Sequence, residues 1–473
     1  MRSAEHPRRT RFPRRAARGA NIVLLGVLCI ASNAMATGTQ ATALVPGIRE
    51  AYLTPAYWIA RLHHPDAALL DRAAIARQNA RLTRLDPTMH DLRTLPAQLP
   101  RAQVAEWITT LSTPPVVPMF DASGAPVAPS MLDAIVANRA LDTIPEVQPI
   151  RYGLVVRRAA LRGFPSAARM FSTPGDTDID RFQESALFPG TPVAIIHQSR
   201  DRQWLFIVSL RYAAWVAREA IAEGSRQQVF DYVDRAPARW ITGARVRTVF
   251  TPEAPSVSEI DVDMGVRLPL ATGAADVVNG QNAYTAWPVL LPVRADDGSL
   301  RFAAALIPKI ASTSATPLPL TRRNVLRQAF RFLGERYGWG HDYGSRDCSG
   351  FVSEVYRSMG VQLPRNTGDQ ARSPALARLH PATAAERQAA LRSLRVGDLV
   401  YLPGHVMLVI GRIGQEPYVI HDIHRGNVRD ANGALRPLHL NAVSVTPLTP
   451  LRFDDGTRFV DRVTDIVRIR AAP

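Results

Sequence analysis

The sequence predicts an α+β chain: a mostly helical N-terminal segment, two small β-barrels, and a C-terminal domain that runs from helices into strands. Three observations carry this prediction. Residues from about 44 to 145 repeat apolar side chains at helical spacing. Two further segments are short β-rich runs cut by Asp, Gly, Ser and Pro, the pattern of small barrels. Past about residue 316 the period changes again, to helix, helix, loop and strands. The expected boundaries are 1–36, 37–145, 146–222, 223–315 and 316–473.

The first of these is a leader. Residues 1–20 hold seven Arg against one Glu, a net +6, before the apolar run NIVLLGVLCIAS and the small-residue end Ala34-Met35-Ala36. A basic start, a short apolar core and an A-x-A end make a secretory signal peptide. The run is too short to span a bilayer alone, and a retained signal anchor is the alternative. Leu28 stands before Cys29 where lipid attachment wants a small residue, which argues against a lipoprotein. Cleavage after about Ala36 predicts a periplasmic or secreted protein with no stable membrane insertion. Roughly 437 residues remain, enough for two to four domains.

Charge narrows the partners. The formal +16 falls to about +10 without the leader, and Lys309 is the single lysine among 57 basic residues. A basic exported surface favours an anionic partner such as cell-wall polymer and fits nucleic acid poorly. The protein is expected to act as a monomer.

Taken in order, "AYWIARLHHPDAALLDRAAIARQNARL" places Trp58, Ile59, Leu62, Leu69, Leu70 and Ile75 at helical positions, and the segment ends in a Pro-rich extended stretch. The runs "YGLVVRRAALRGFP" and "TPVAIIHQSRDRQWLFIVSLRYAAWVA" read as strands of the first barrel, and "ARWITGARVRTVFT" and "RFAAALIP" as strands of the second. "ASTSATPLPL" reads as a linker. Beyond it, Val325, Leu326, Ala329, Phe330 and Leu333 share a helical face, with Thr321 as N-cap. From Cys348 a second helix carries Phe351, Val352, Val355, Tyr356 and Met359, and Gly360 is placed to end it.

Loss of Cys29 with the leader leaves Cys348 as the one thiol, so no internal disulfide forms. A free cysteine is often a small buried hydrophobe. This one opens a helix, where unpaired N–H groups and the dipole favour a thiolate, so a lowered pKa is expected. Asp347 is placed either to cap that helix or to bind a ligand. His405 begins an apolar strand after a Pro-Gly turn, and His421 closes the next one. Each histidine alone would be structural. Together, downstream of a helix-opening cysteine, they fit a nucleophile, a proton relay and an orienting partner.

At these residues the sequence resembles a family. "RDCSGFV…LPRN", "GDLVYL…HV" and the later His are similar to the NlpC-type papain-like cell-wall peptidases over about residues 320–440. In one branch an N-terminal stabilising segment and two bacterial SH3-like barrels precede the catalytic domain; "LFPGTPVAII" and "RDRQWLFIVSLRYAAWV" look like the first barrel, and the second matches more loosely. The resemblance implies a papain-like cysteine peptidase domain behind two SH3-like barrels and a mostly helical segment. It implies cleavage of the γ-D-glutamyl–diaminopimelyl bond of murein (peptidoglycan) stem peptides, with Cys348 as nucleophile, His405 as base and His421 as orienting residue. His424 lies three residues on; His421 is preferred because it closes the strand. The branch also implies a pocket for the free amine of an N-terminal L-Ala, with Asp347 and Ser349 beside the nucleophile and Tyr337, Trp339 and Thr367 lining it. A tyrosine from the first barrel would assist, and Tyr212 is the choice, with a core aromatic as its other reading. No metal or cofactor is implied. Two departures bear on the pocket: the loop between Trp339 and Cys348 is about one residue short, and Thr367 stands where Ser is common. The competing readings are a non-catalytic wall-binding protein that uses its barrels, and an amidase or acyltransferase of the same fold.

Overall fold

A computed structural model describes residues 45–273 and 276–470, and the expected leader with Cys29 lies outside the described residues. The helical period expected from Trp58 to Ile75 is broken once. The helix Pro55–Ile59 gives way to His64 at φ +52° and Pro65, and Leu69 and Leu70 enter the strand Ala68–Leu70, antiparallel to Leu320–Thr321. A left-handed residue followed by proline cannot carry a helix onward. Asp71 restarts it by accepting the Ala74 N–H at 2.7 Å, and Arg72–Leu85 follows.

The first β-rich segment is a seven-stranded antiparallel sheet in the order Ile221–Gly224, Arg151–Val155, Pro192–Gln198, Trp204–Val208, Ala213–Ala217, Ala159–Arg162, Gln183–Leu187. Alternation splits its side chains between two cores. Leu154, Ala194, Ile196, Phe206 and Trp215 pack with Val104 and Ile108 of the helix Arg101–Leu111, while Val155, Leu161, Ile195 and Ile207 pack on one another. The second β-rich segment holds the long hairpin Ala286–Arg294 with Leu300–Pro308 and a three-stranded sheet that ends on Thr313–Ser314. The stretch expected to be a linker is therefore tied at both ends, by Thr313–Ser314 to Trp240–Ile241 and by Leu320–Thr321 to Ala68–Leu70. Thr and Ser satisfy sheet edges that would otherwise stay unpaired.

In the C-terminal domain Thr321 accepts the Asn324 N–H at 3.2 Å and starts the helix Arg322–Ala329. The helix Cys348–Arg357 lies on a six-stranded antiparallel sheet ordered Arg378–Leu379, Asp465–Val467, Leu399–Leu402, His405–Ile413, Glu416–Arg429, Leu435–Pro447. Val406, Leu408, Ile410 and Ile420 face Phe351, Val352 and Val355, and the same core takes in Tyr52, Trp58, Leu70 and Ile75. The N-terminal segment thus buries its apolar side chains inside the C-terminal core. Among the described residues no helix is long and apolar enough to cross a membrane.

Candidate active site

Asp347 is extended and its Oδ1 accepts the Gly350 N–H at 2.8 Å, so Cys348 becomes the first residue of its helix. The sulfur lies 3.6 Å from Thr367 Oγ1 and 4.0 Å from the Gly404 carbonyl oxygen. Gly404, at φ +75°, makes the turn that sets His405 at the head of the strand His405–Ile413. His405 Nε2 is 2.8 Å from His421 Nδ1, and His421 Nε2 is 2.9 Å from Thr446 Oγ1. With Nε2 engaged, Nδ1 is the remaining His405 nitrogen. His421 does not close its strand. The strand runs on to Arg429 because the hairpin with Leu435–Pro447 keeps pairing past a register shift between Ile423 and Arg425.

The charge state differs from the sequence expectation. Burial, then the Asp347 carboxylate, push the Cys348 thiol up to about 12, against a smaller downward pull from Thr367. The helix N-terminus is worth about 0.3–1 kcal/mol, less than the desolvation of a thiolate at a site 4 % exposed. Burial also holds His405 down to about 4, and burial with the neighbouring His405 drives His421 well below its usual range. Both groups rest neutral, Cys348 as a thiol and His405 as an imidazole.

The expected pocket residues fall into distinct places. Asp347 and Ser349 form a floor: Arg365 reaches Asp347 Oδ2 at 2.7 Å and Ser349 Oγ at 2.9 Å, and Ser349 donates to Asp347 Oδ1 at 3.0 Å. Burial opposes ionisation of Asp347, but Arg365 and His341 hold it down to about 2. Tyr337 is buried in a cleft of about 220 Å³ with Gly404 and His405, and burial and Cys348 raise its pKa far above normal, so its hydroxyl keeps its proton. Trp339 stands apart, its Nε1 donating to the Gln183 carbonyl at 3.0 Å. Tyr212 is no simple core aromatic; its hydroxyl donates to Glu184 Oε2 at 2.5 Å. His424 lines the same small cleft, but its Nε2 is engaged by Asp178 at 3.2 Å.

A second cleft has a volume of about 560 Å³. Asn366 and Asp369, beside Thr367, form one wall, Glu184 and Tyr212 another, and His90 and Trp107 of the N-terminal segment the end. Burial raises the Glu184 pKa, and the Tyr212 bond opposes that rise. Reasoning from sequence missed Glu184, Thr446 and Arg365, of which only Arg365 stood in a recognised motif. It also missed fully buried Arg346, which reaches Glu354 and Asp263 at 2.7 Å each, pairs with Glu335, and so fastens the loop before Cys348 to the second β-rich segment. Among the described residues one cluster has metal-ligand character, Asp176, Asp178 and His424, but Asp178 spends its oxygens on Arg336, His424 and Asn441.

Comparison with known proteins agrees with this layout. Residues 334–438 match the NlpC/P60 family and residues 169–217 the SH3 domain of SH3b1 type. Dipeptidyl-peptidase 6 of Lysinibacillus sphaericus is 24 % identical over 249 residues, 52 % of this chain and 83 % of that protein. The γ-D-glutamyl-L-lysine dipeptidyl-peptidase of Bacillus subtilis (strain 168) is 30 % identical over 82 residues, 17 % of this chain and 24 % of that protein. An NlpC/P60 endopeptidase from Photobacterium damselae subsp. piscicida shares the fold at a TM-score of 0.70 and 17 % identity, over 87 % of this chain and 95 % of that one.

Proposed function

Because the chain is an NlpC/P60 cysteine peptidase of the peptidoglycan-hydrolysing type, with an SH3b domain ahead of the catalytic one, we propose that it cuts the γ-D-glutamyl–diaminopimelyl bond of stem peptides whose N-terminal L-Ala is free. The observation that carries this reading is the second cleft. It ends against the N-terminal segment, and inside it Glu184, hydrogen-bonded to Tyr212, supplies an acid for an ammonium group. A cleft bounded by that segment suits a short acyl portion and refuses a glycan-linked one. The two curated relatives are named as a dipeptidyl-peptidase and a γ-D-glutamyl-L-lysine dipeptidyl-peptidase, in keeping with release of a dipeptide.

The chemistry follows from the neutral pair. As Sγ of Cys348 attacks the γ-carbonyl carbon, its proton passes to His405 Nδ1, and the imidazolium keeps Nε2–H on His421 Nδ1. The oxyanion meets the Cys348 N–H, which has no acceptor among the described hydrogen bonds, and the Tyr337 hydroxyl. One well-placed donor of this kind is worth about 3–4 kcal/mol. His405 returns the proton to the departing diaminopimelyl amine as the C–N bond breaks. Water, deprotonated by His405, then hydrolyses the thioester and frees L-Ala-γ-D-Glu. The chain would do this after export to the periplasm or outside the cell.

Incubation with L-Ala-γ-D-Glu-diaminopimelate and with its N-acetylated form, read by mass spectrometry, tests the proposal. Release of L-Ala-D-Glu from the free peptide alone, lost in Cys348→Ala, is the expected result. Equal cleavage of the acetylated peptide would remove the free-amine requirement, and no cleavage of either would remove the bond assignment.

A further inference from the structure

Arg211, immediately before Tyr212, lines the cleft that holds Glu184 and also borders the neighbouring cleft toward Arg357. Its guanidinium makes no hydrogen bond or ion pair among the described residues. The acids that act on it are Glu354 and Asp347, and both are already spent. Glu354 serves Arg346 at 2.7 Å and His341 at 3.1 Å, and Asp347 serves Arg365 at 2.7 Å. Arg357 and Arg365 oppose its charge, and burial with these two cations pushes Arg211 down to about 9, so it remains a cation at neutral pH. Arg211 is half-buried, and a partly desolvated charge without a counter-ion carries a cost in the fold. An anion supplied by a ligand removes that cost.

The peptide proposed as substrate carries such an anion. A γ-linked D-glutamyl residue leaves its α-carboxylate free, a few covalent bonds from the L-Ala ammonium. The cleft mirrors this pair, with the acid Glu184 tied to Tyr212 and the free guanidinium of Arg211 on the preceding residue. Of the other basic groups near the cleft, Arg365 is committed to Asp347, Ser349 and Ser185, and burial keeps His90 neutral. We propose that Arg211 receives the α-carboxylate of the γ-linked D-glutamyl residue, so that the enzyme selects stem peptides in which that carboxylate is free over those in which it is amidated. This assignment rests on the γ-D-glutamyl reading above. The planar fork of arginine suits a carboxylate bidentately, and an amide presents it with a neutral group and a misplaced donor.

The test compares kcat/KM of the full chain on L-Ala-γ-D-Glu-diaminopimelate and on the matching D-isoglutamine peptide. The wild type is expected to prefer the carboxylate by about tenfold or more, the discrimination a charge-assisted contact gives. Arg211→Gln should bring the ratio toward one through a loss on the carboxylate peptide, and Arg211→Lys should retain part of the preference. A thermal melt of each variant checks folding. A wild type that cleaves both peptides alike, or a folded Arg211→Gln that keeps the preference, overturns the assignment and leaves the peptidase reading intact. Should Arg211→Gln fail to fold, a folded Arg211→Lys with a preference no lower than wild type overturns it as well. Cleavage of neither peptide by the wild type removes both.

Discussion

Replacing Thr446 with valine deletes one hydroxyl and keeps the branched shape, yet it should strike the reaction through two histidines. For His405 to take the thiol proton on Nδ1, its own proton must sit on Nε2 and be donated to His421 Nδ1, 2.8 Å away. His421 then carries its proton on Nε2, where Thr446 Oγ1 at 2.9 Å is the acceptor. Both side chains are 0 % exposed, so water cannot substitute. Valine leaves that N–H buried and unpaired, a cost of about 1–3 kcal/mol. His421 escapes the cost by moving its proton to Nδ1, which donates to His405 Nε2 and forces the His405 proton onto Nδ1, the nitrogen needed as base. A bias of about 2 kcal/mol against the productive tautomer lowers kcat roughly thirtyfold. KM should change little, because neither Thr446 nor His421 lines either cleft. Steady-state kinetics on the tripeptide, with Thr446→Ser as the rescue, measure this. A Thr446→Val enzyme with wild-type kcat, or a Thr446→Ser enzyme equally slow, would refute the tautomer argument.

Three further outcomes follow from the same geometry. With the thiol protonated below about 12 and His405 neutral above about 4, alkylation of Cys348 by iodoacetamide should climb through the alkaline range with no plateau between about pH 5 and 8; a plateau there would reveal a resting thiolate–imidazolium pair. Asp422 is fully buried with neither oxygen hydrogen-bonded among the described residues, and burial, then Asp347, drive its pKa well up. A raised carboxyl pKa means the fold loses stability as pH rises past the ordinary 3.8, so Asp422→Asn should gain on the order of 1–3 kcal/mol over wild type at pH 7 and much less at pH 4; denaturant titrations that show equal gains at both would defeat this. A Cβ on Gly411 would lie 2.5 Å from the Trp58 ring, which is held by its own Nε1 bond to Tyr52 at 2.8 Å, so Gly411→Ala should cost about 1–3 kcal/mol by overpacking, and an unchanged melting temperature would show that the ring yields.

What the sequence made legible was local. Thr321 and Asp347 cap their helices, Gly360 sits at φ +83° beyond Arg357, and His405 heads its strand, each decided by a few neighbouring residues. The thiol charge was not legible, because it depends on a core assembled from residues 52 to 89 and the C-terminal domain together. Thr446 gave no signal either. A threonine inside "NAVSVTPL" is an ordinary strand residue, and only the hairpin register that sets His421 opposite Ser444 brings it to the imidazole. Glu184 and Arg211 likewise acquire meaning only when the first β-rich segment closes on Asn366.

That closure binds specificity to stability. The wall at His90 and Trp107 belongs to the same N-terminal segment whose Trp58 and Tyr52 fill the core around Cys348. A chain without this segment would lose the end of the cleft and expose apolar surface around the thiol in one step. Each of the two losses has its own signature. An opened cleft admits longer acyl portions, while a hydrated Cys348 loses the desolvation that now keeps it protonated. On the proposed reading, activity on glycan-linked stems and a more acidic thiol should therefore appear together, or not at all.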